Sequence, residues 1–382
     1  MTQTSEHMDS LRLAGDEFAD STVDALFAHG DVGRFNTIMR WFGTSGQDLP
    51  DGVPAEAREY LEATRMPPAW VDWDVIEVAR QFFADNNVHI STALAFGAMP
   101  AGYATPHIAK LLSTTHSLEY PARRMAETGQ FTVYMMQPDA FESGGRFIPA
   151  LQKVRLLHAS IRHHLRREGR WDEAGLGVPI CQEDMIGSLM GFSIHVLDAL
   201  HRLGIRMTVA QAEAYYYSWR VTGIMLGCDP DAVPSDTTSA REFFDAYMLR
   251  HMGPSPEGAR LTRQLVELYQ EVIPGKTLDP AVPAVIRYLV GDTVADWLEV
   301  PRSHWDTAVN LVPVVLGIWE TIENSGPAGR WLIERVGRVT TNLELSALTG
   351  GRVMHYAIPE QLKDDYAVKR LGAAAARWTP PQ

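Results

Sequence analysis

The pattern that most constrains this chain is helical periodicity carried almost from end to end, with capping signals at its interruptions. No run of alternating β-branched residues lies between hairpin turns. The expected fold class is therefore all-α. Pro54 followed by Ala-Glu-Ala reads as a helix opening, with proline in the first turn where its missing N–H costs nothing. Thr208 and Gln211 have capping-box spacing ahead of a run through Tyr215, Tyr216 and Trp219. Asp279-Pro280 gives a cap-then-proline signal before Ile286, Tyr288 and Leu289. Turns are expected where proline and glycine gather, at 48–54, 99–102, 143–145, 175–179, 227–234 and 253–258. None is long enough for an interdomain linker. The simplest division is a leader over 1–34, one helical domain over 35–348 and a tail over 349–382.

A chain of 382 residues can bury roughly three-quarters of the surface its unfolded form exposes. An apolar share of 46% and a charged share of 21% exclude global disorder. The net charge of -13 repels phosphate backbones and anionic lipid, so nucleic acid is not an expected partner. Cys181 and Cys228 stand outside any CxxC and read as lone thiols of a reducing compartment. The first residues carry no apolar signal region, and no apolar run reaches the ~18 residues of a spanning helix. A cytoplasmic location without a transmembrane segment is the expectation, and a homodimer is compatible with it.

The segment from Phe147 to Arg167 carries the first candidate chemistry. Phe147, Ile148, Leu151, Val154, Leu157, Ile161 and Leu165 form an apolar stripe at helical spacing, and His158 lies within it. A histidine on such a face must find a partner for its ring nitrogens, or leave a buried polar atom unpaired at about 1–3 kcal/mol. That partner is either a hydrogen bond inside the core or a metal, for which neutral imidazole is a common ligand. Arg155 and Arg162 stand one turn before and one turn after His158. Two guanidinium groups in a dry core need anions, which haem propionates would supply; otherwise the arginines point to solvent beside the stripe.

A second cluster follows Tyr120-Pro121. If Pro121 opens a helix, Arg124 and Thr128 share a face, with Glu127 adjoining Arg124. This is either an exposed, salt-bridged helix or a polar wall that hydrogen-bonds an oxygen ligand and moves protons. The third segment, Gln182 to Gly204, reads as one core helix opened by Glu183 and Asp184. Ser188, Phe192 and His195 recur on its flank, either packing the core or lining a pocket.

At these segments the chain resembles the superfamily joining the latex clearing proteins, which are bacterial rubber oxygenases, to the fungal endoplasmic-reticulum oxygenase of mycophenolic acid synthesis. The resemblance rests on LAFGAMPAGY (94–103), YPARRMAETGQF (120–131), VRLLHASIR (154–162), QEDMIGSLMGFSIHVLDALHRLG (182–204) and RYLVGDTVADWLEVP (287–301). It implies a globin-like helical haem domain with additional helices, holding haem b and using O2 as co-substrate. His158 matches the proximal iron ligand, Arg155 and Arg162 the arginines around it, and Arg124 and Thr128 the distal arginine and threonine. Ser188 and Phe192 would line the cofactor pocket. Rubber oxygenases commonly carry a lysine where this chain has Glu127. A glutamate there would act as base or proton relay, which, with no export signal, points away from rubber itself.

The expected function is thus a haem-dependent oxygenase, of dioxygenase type, acting on a hydrophobic isoprenoid- or lipid-like small molecule. Oxidative C=C cleavage is one reaction open to it, and the alternative is a non-catalytic haem-binding oxygen sensor or carrier. A ferritin-like di-iron site would want Glu-x-x-His pairs, and no glutamate has a histidine three residues later. GxGxxG, GxxxxGK[ST] and GxSxG are all absent.

Overall fold

A computed structural model describes residues 5–40, 42–115, 121–272, 279–309 and 358. Among them there is helix and no strand. The helices are α1 (Ser5–Arg12), α2 (Glu17–Ala28), α3 (Val32–Met39), α4 (Ala55–Ala63), α5 (Trp73–Thr92), α6 (Met99–Tyr103), α7 (Pro106–Thr114), α8 (Pro121–Met135) and α9 (Phe147–Arg167). They continue with α10 (Glu173–Leu176), α11 (Gln182–Phe192), α12 (Ile194–Arg202), α13 (Val209–Met225), α14 (Thr237–His251), α15 (Pro256–Val272), α16 (Ala281–Val290), α17 (Asp292–Trp297) and α18 (Trp305–Val309).

Local signals explain many of these boundaries. Pro54 is the N-cap of α4 and Pro121 begins α8. At α13 the capping box is complete: the Thr208 side chain accepts from the Gln211 amide, while the Gln211 side chain accepts from the Thr208 amide. At Asp279-Pro280 the helix begins where expected, but no side chain caps it. Cys181 and Cys228 are buried free thiols.

Two expected elements take a different form in the structure. The expected turn at 99–102 is helical. A π-helical stretch, Ala93–Ala98, links α5 to α6, and Pro100 sits in the first turn of α6, where proline is tolerated. The single core helix expected over 182–204 is broken at Ser193 (φ -111, ψ -76), whose hydroxyl donates to the Leu189 carbonyl at 2.7 Å. Within the expected leader, α1 and α2 pack against the rest of the described residues. Met8 and Leu11 of α1 lie in the largest apolar cluster, and Ala19, Val23 and Leu26 of α2 lie in a second. The expected tail at 349–382 lies outside the described residues except for buried Ile358, whose backbone exchanges two hydrogen bonds with the Asn36 side chain.

The largest cluster draws on α1, α5, α8, α9 and α11–α14. The second joins α2, α3 and α4, and a third joins α6, α7, α15, α16 and α17. α9 is shared between the first two: Phe147, Ile148 and Leu151 enter the large cluster, whereas Leu156 and Ala159 enter the second. Each fully buried aliphatic side chain of this kind stabilises the fold by about 1.5–3 kcal/mol. α9 is therefore fixed from two sides.

Candidate functional site

Seen along its length, α9 is packed unevenly. Leu156, Ala159 and Ser160 are buried, while Val154, Leu157, His158 and Ile161, which share a face at helical spacing, are only partly so. His158 Nδ1 is enclosed and has no hydrogen-bond partner. Burial pushes the His158 pKa down to about 4, helped by the positive charge of Arg162 and opposed by Asp16. The ring is surrounded by enough protein to suppress its protonation, yet it keeps some accessible surface. At neutral pH the imidazole is uncharged, the form that ligates metal.

The arginines flanking His158 are not waiting for an outside anion. Arg155 grips Asp16 through Nε and Nη2 at 2.6 and 2.8 Å, and its Nη1 donates to the Met225 carbonyl at 3.2 Å. Arg162, only 1% exposed, donates through Nε to Asp20 at 2.7 Å and through Nη1 to the Ile180 carbonyl at 3.2 Å. This corrects the expectation that haem propionates balance these charges, because α2 does so. Next to Arg162, His163 bonds Asp24 at 2.6 Å and stacks on Phe27 at 4.3 Å. The sequence held a signal for this ladder: Asp16, Asp20 and Asp24 are spaced four apart, on one helical face.

α8 packs against α9 and carries the second expected cluster. Glu127 and Thr128 are half-buried, and the Thr128 carbonyl accepts from the Thr132 hydroxyl at 3.1 Å. The Arg124 side chain lies outside the described residues. One turn further on, Phe131 is buried edge-on to Phe147 at 5.3 Å, and Thr222 donates to the Met135 sulfur at 3.0 Å.

α11 shows a second open stripe. Ser188 is exposed although the rest of Gln182–Met190 is buried, and Gly191, Phe192 and His195 continue its row half-buried across the break at Ser193. Phe192 is backed by Trp219, stacked at 5.1 Å. His195 resembles His158 in that burial lowers its pKa to about 4, but a contact with the Gly97 backbone opposes the shift. Its ring lies against the π-helical turn, where a Cβ on Gly97 would stand 3.2 Å from Nε2. π-helical turns recur at functional sites.

Glu183 and Asp184 open α11 as expected, and both are buried. Asp184 accepts from His107 at 2.7 Å, Arg12 at 3.2 Å and Tyr247 at 3.2 Å, while Glu183 meets Arg12 at 3.1 Å and His251 at 2.9 Å. Burial would push the Asp184 carboxyl up; the His107 hydrogen bond and nearby positive charges outweigh it and hold it below the usual range. Cys181, Glu183 and Asp184 offer donor atoms within 4.8 Å of one another. Their carboxylates are already engaged by Arg12, Arg250, His107 and His251, so the group locks α1, α7 and α14 onto α11.

Comparison with known proteins adds three findings. The family described as ER-bound oxygenase mpaB/B'/Rubber oxygenase, catalytic domain, matches residues 80–319, more than half of the chain. The rubber oxygenase of Streptomyces sp. (strain K30) is 27% identical over 290 residues, covering 75% of this chain and 71% of that protein. The solved structure of latex clearing protein LCP in the closed state superposes with a TM-score of 0.79 at 25% identity, covering 92% of this chain and 95% of the other. No described helix is long and apolar enough to cross a membrane.

Proposed function

This chain belongs to the ER-bound oxygenase mpaB/B'/rubber oxygenase family, and on that premise we propose that it is a haem b-dependent oxygenase whose iron is ligated by His158. The carrying observation is the His158 imidazole itself: enclosed, uncharged at neutral pH, unpartnered at Nδ1 and partly open on a face it shares with Val154, Leu157 and Ile161. Nδ1 itself is sealed inside the protein, so Nε2, on the open side of the ring, would be the coordinating atom. These residues suit haem, with an apolar stripe for the macrocycle and one neutral nitrogen for the metal. Bound there, haem would supply the iron that activates dioxygen.

The chain's own residues then have distinct tasks. His158 would hold and orient the iron. Ser188 and Phe192 would border the cofactor, the aromatic ring steadied by Trp219. Arg124 and Thr128 would donate hydrogen bonds on the oxygen side. Glu127, half-buried beside them in sequence, would be the base for an allylic proton of the substrate where cleavage of a carbon–carbon double bond proceeds through its removal. Apolar side chains such as Phe131 and Met135 support the wall that brings a hydrophobic, isoprenoid- or lipid-like substrate close and excludes water.

Incubation of haem-loaded protein with terpenoid and fatty alkenes under dioxygen, followed by mass spectrometry, tests this. Carbonyl products that diminish in Glu127→Gln support it. Stable oxygen binding with no product from any alkene would identify a sensor or carrier instead.

A further inference from the structure

α2 lies before residue 80, where the family match begins, yet it is the element most tightly coupled to the ligand helix. Arg155 stands three residues before His158 and Arg162 four after it, so two guanidinium charges lie within about one turn of the imidazole. Each is met by one aspartate of α2. Asp16, 5% exposed, closes a two-pronged pair with Arg155 and also caps α2 by accepting from the Ala19 amide. Through Nη1, Arg155 reaches the Met225 carbonyl, so one node joins α2, α9 and the end of α13. Asp20 meets Arg162, while Asp24 and His163 form a third rung with Asp24 65% exposed.

Charges inside a protein act over longer distances than charges in water, because little solvent screens them. At His158 the positive charge of Arg162 and the negative charge of Asp16 act in opposite directions. Removing one carboxylate leaves a net positive charge beside the imidazole; removing one guanidinium leaves a net negative charge.

We propose that Asp16 and Asp20 are positioning residues for the haem site: by pairing with Arg155 and Arg162 they fix α9 against α2 and set the electrostatic field at His158, and with it the reduction potential of the iron. The inference rests on the haem reading above. It gives α2 a role in tuning the cofactor without touching it, and it predicts effects of opposite sign from the two partners of one ion pair. Added positive charge favours the reduced iron and raises the potential, whereas added negative charge lowers it.

Spectroelectrochemical titration of the haem-loaded full chain tests this with Asp16→Asn, Arg155→Gln and the double variant. Asn retains N-capping ability at position 16, so the helix end is preserved. The expected result is a positive shift in Asp16→Asn, a negative shift in Arg155→Gln and a return towards the wild-type value in the double variant. Asp24→Asn, on the exposed rung, should shift the potential less than Asp16→Asn, and its effect should shrink with added salt. Shifts of the same sign in both single variants, as loosened packing would give, or no shift in either, would overturn the inference. Should Asp16→Asn fail to fold, Asp20→Asn with Arg162→Gln repeats the cycle one turn along, and the same sign rule decides it. A wild-type chain that takes up no haem would overturn the haem reading, and this inference with it.

Discussion

Asp20→Ala should cost far more stability than an average surface change, because of what it leaves behind. Arg162 is 1% exposed, its Nη2 already has no hydrogen-bond partner, and Asp20 is the carboxylate its Nε reaches at 2.7 Å. Without Asp20 a guanidinium stays buried with only the Ile180 carbonyl for company. Breaking a buried pair from one side costs about 3–5 kcal/mol. Asp20 is itself 19% exposed, so water can approach the vacated side and the lower end of that range is expected. Even about 3 kcal/mol is a large share of the roughly 5–15 kcal/mol of a typical domain. Burial also pushes the Asp20 carboxyl above its ordinary pKa despite the neighbouring Arg162, so desolvation outweighs attraction. Replacing both partners, as in Asp20→Ala/Arg162→Met, should therefore recover much of the loss. Urea unfolding followed by circular dichroism reads this as a lower midpoint with unchanged slope for the single variant. Arg263→Ala, from a pair 64% and 66% exposed, is the control and should cost about 0–1 kcal/mol. A loss under about 1 kcal/mol in Asp20→Ala, or a double variant no better than the single, would refute the reasoning.

Three further outcomes follow from the same contacts. Leu156→Ala, at a fully buried position on the side of α9 facing α2, should destabilise by about 2–5 kcal/mol in the same unfolding assay. Gly227→Ala should be strongly destabilising, because φ is +95 and a Cβ there would fall 2.2 Å from Asp16 Oδ2; thermal unfolding reads it. His195 has a folded pKa of about 4 against 6.5 for the free side chain, so the unfolded state binds the extra proton. Its contribution is intact above pH 6.5 and is lost as the pH falls towards 4, about 2 kcal/mol of it between pH 7 and pH 5. His195→Gln should remove that part of the acid sensitivity, as unfolding at the two pH values would show.

What the sequence made legible was what is local. The capping box at Thr208 and Gln211, the proline openings at Pro54 and Pro121 and the stripe of α9 all depend on residues within a few turns, and each appears at its expected place. The family resemblance read from the motifs agrees with the match over residues 80–319. What escaped was set by partners far along the chain. Asp16 and Asp20 lie 139 and 142 residues from the arginines they neutralise, so these pairs do not show in local spacing. Glu183 and Asp184 looked like ordinary N-terminal carboxylates because Arg12, His107 and His251, which let them be buried, come from three distant helices. The break at Ser193 has no proline or glycine at the residue itself. There the serine hydroxyl competes for a helical carbonyl, a preference that sequence spacing shows only weakly.

Whether His158 ligates iron is read most directly by adding haemin to the iron-free chain and recording visible absorption. A Soret band that saturates at one haem per chain, disappears in His158→Ala and persists in His195→Ala is the expected result. A wild-type chain with no Soret band, or a His158→Ala spectrum unchanged from wild type, would contradict it.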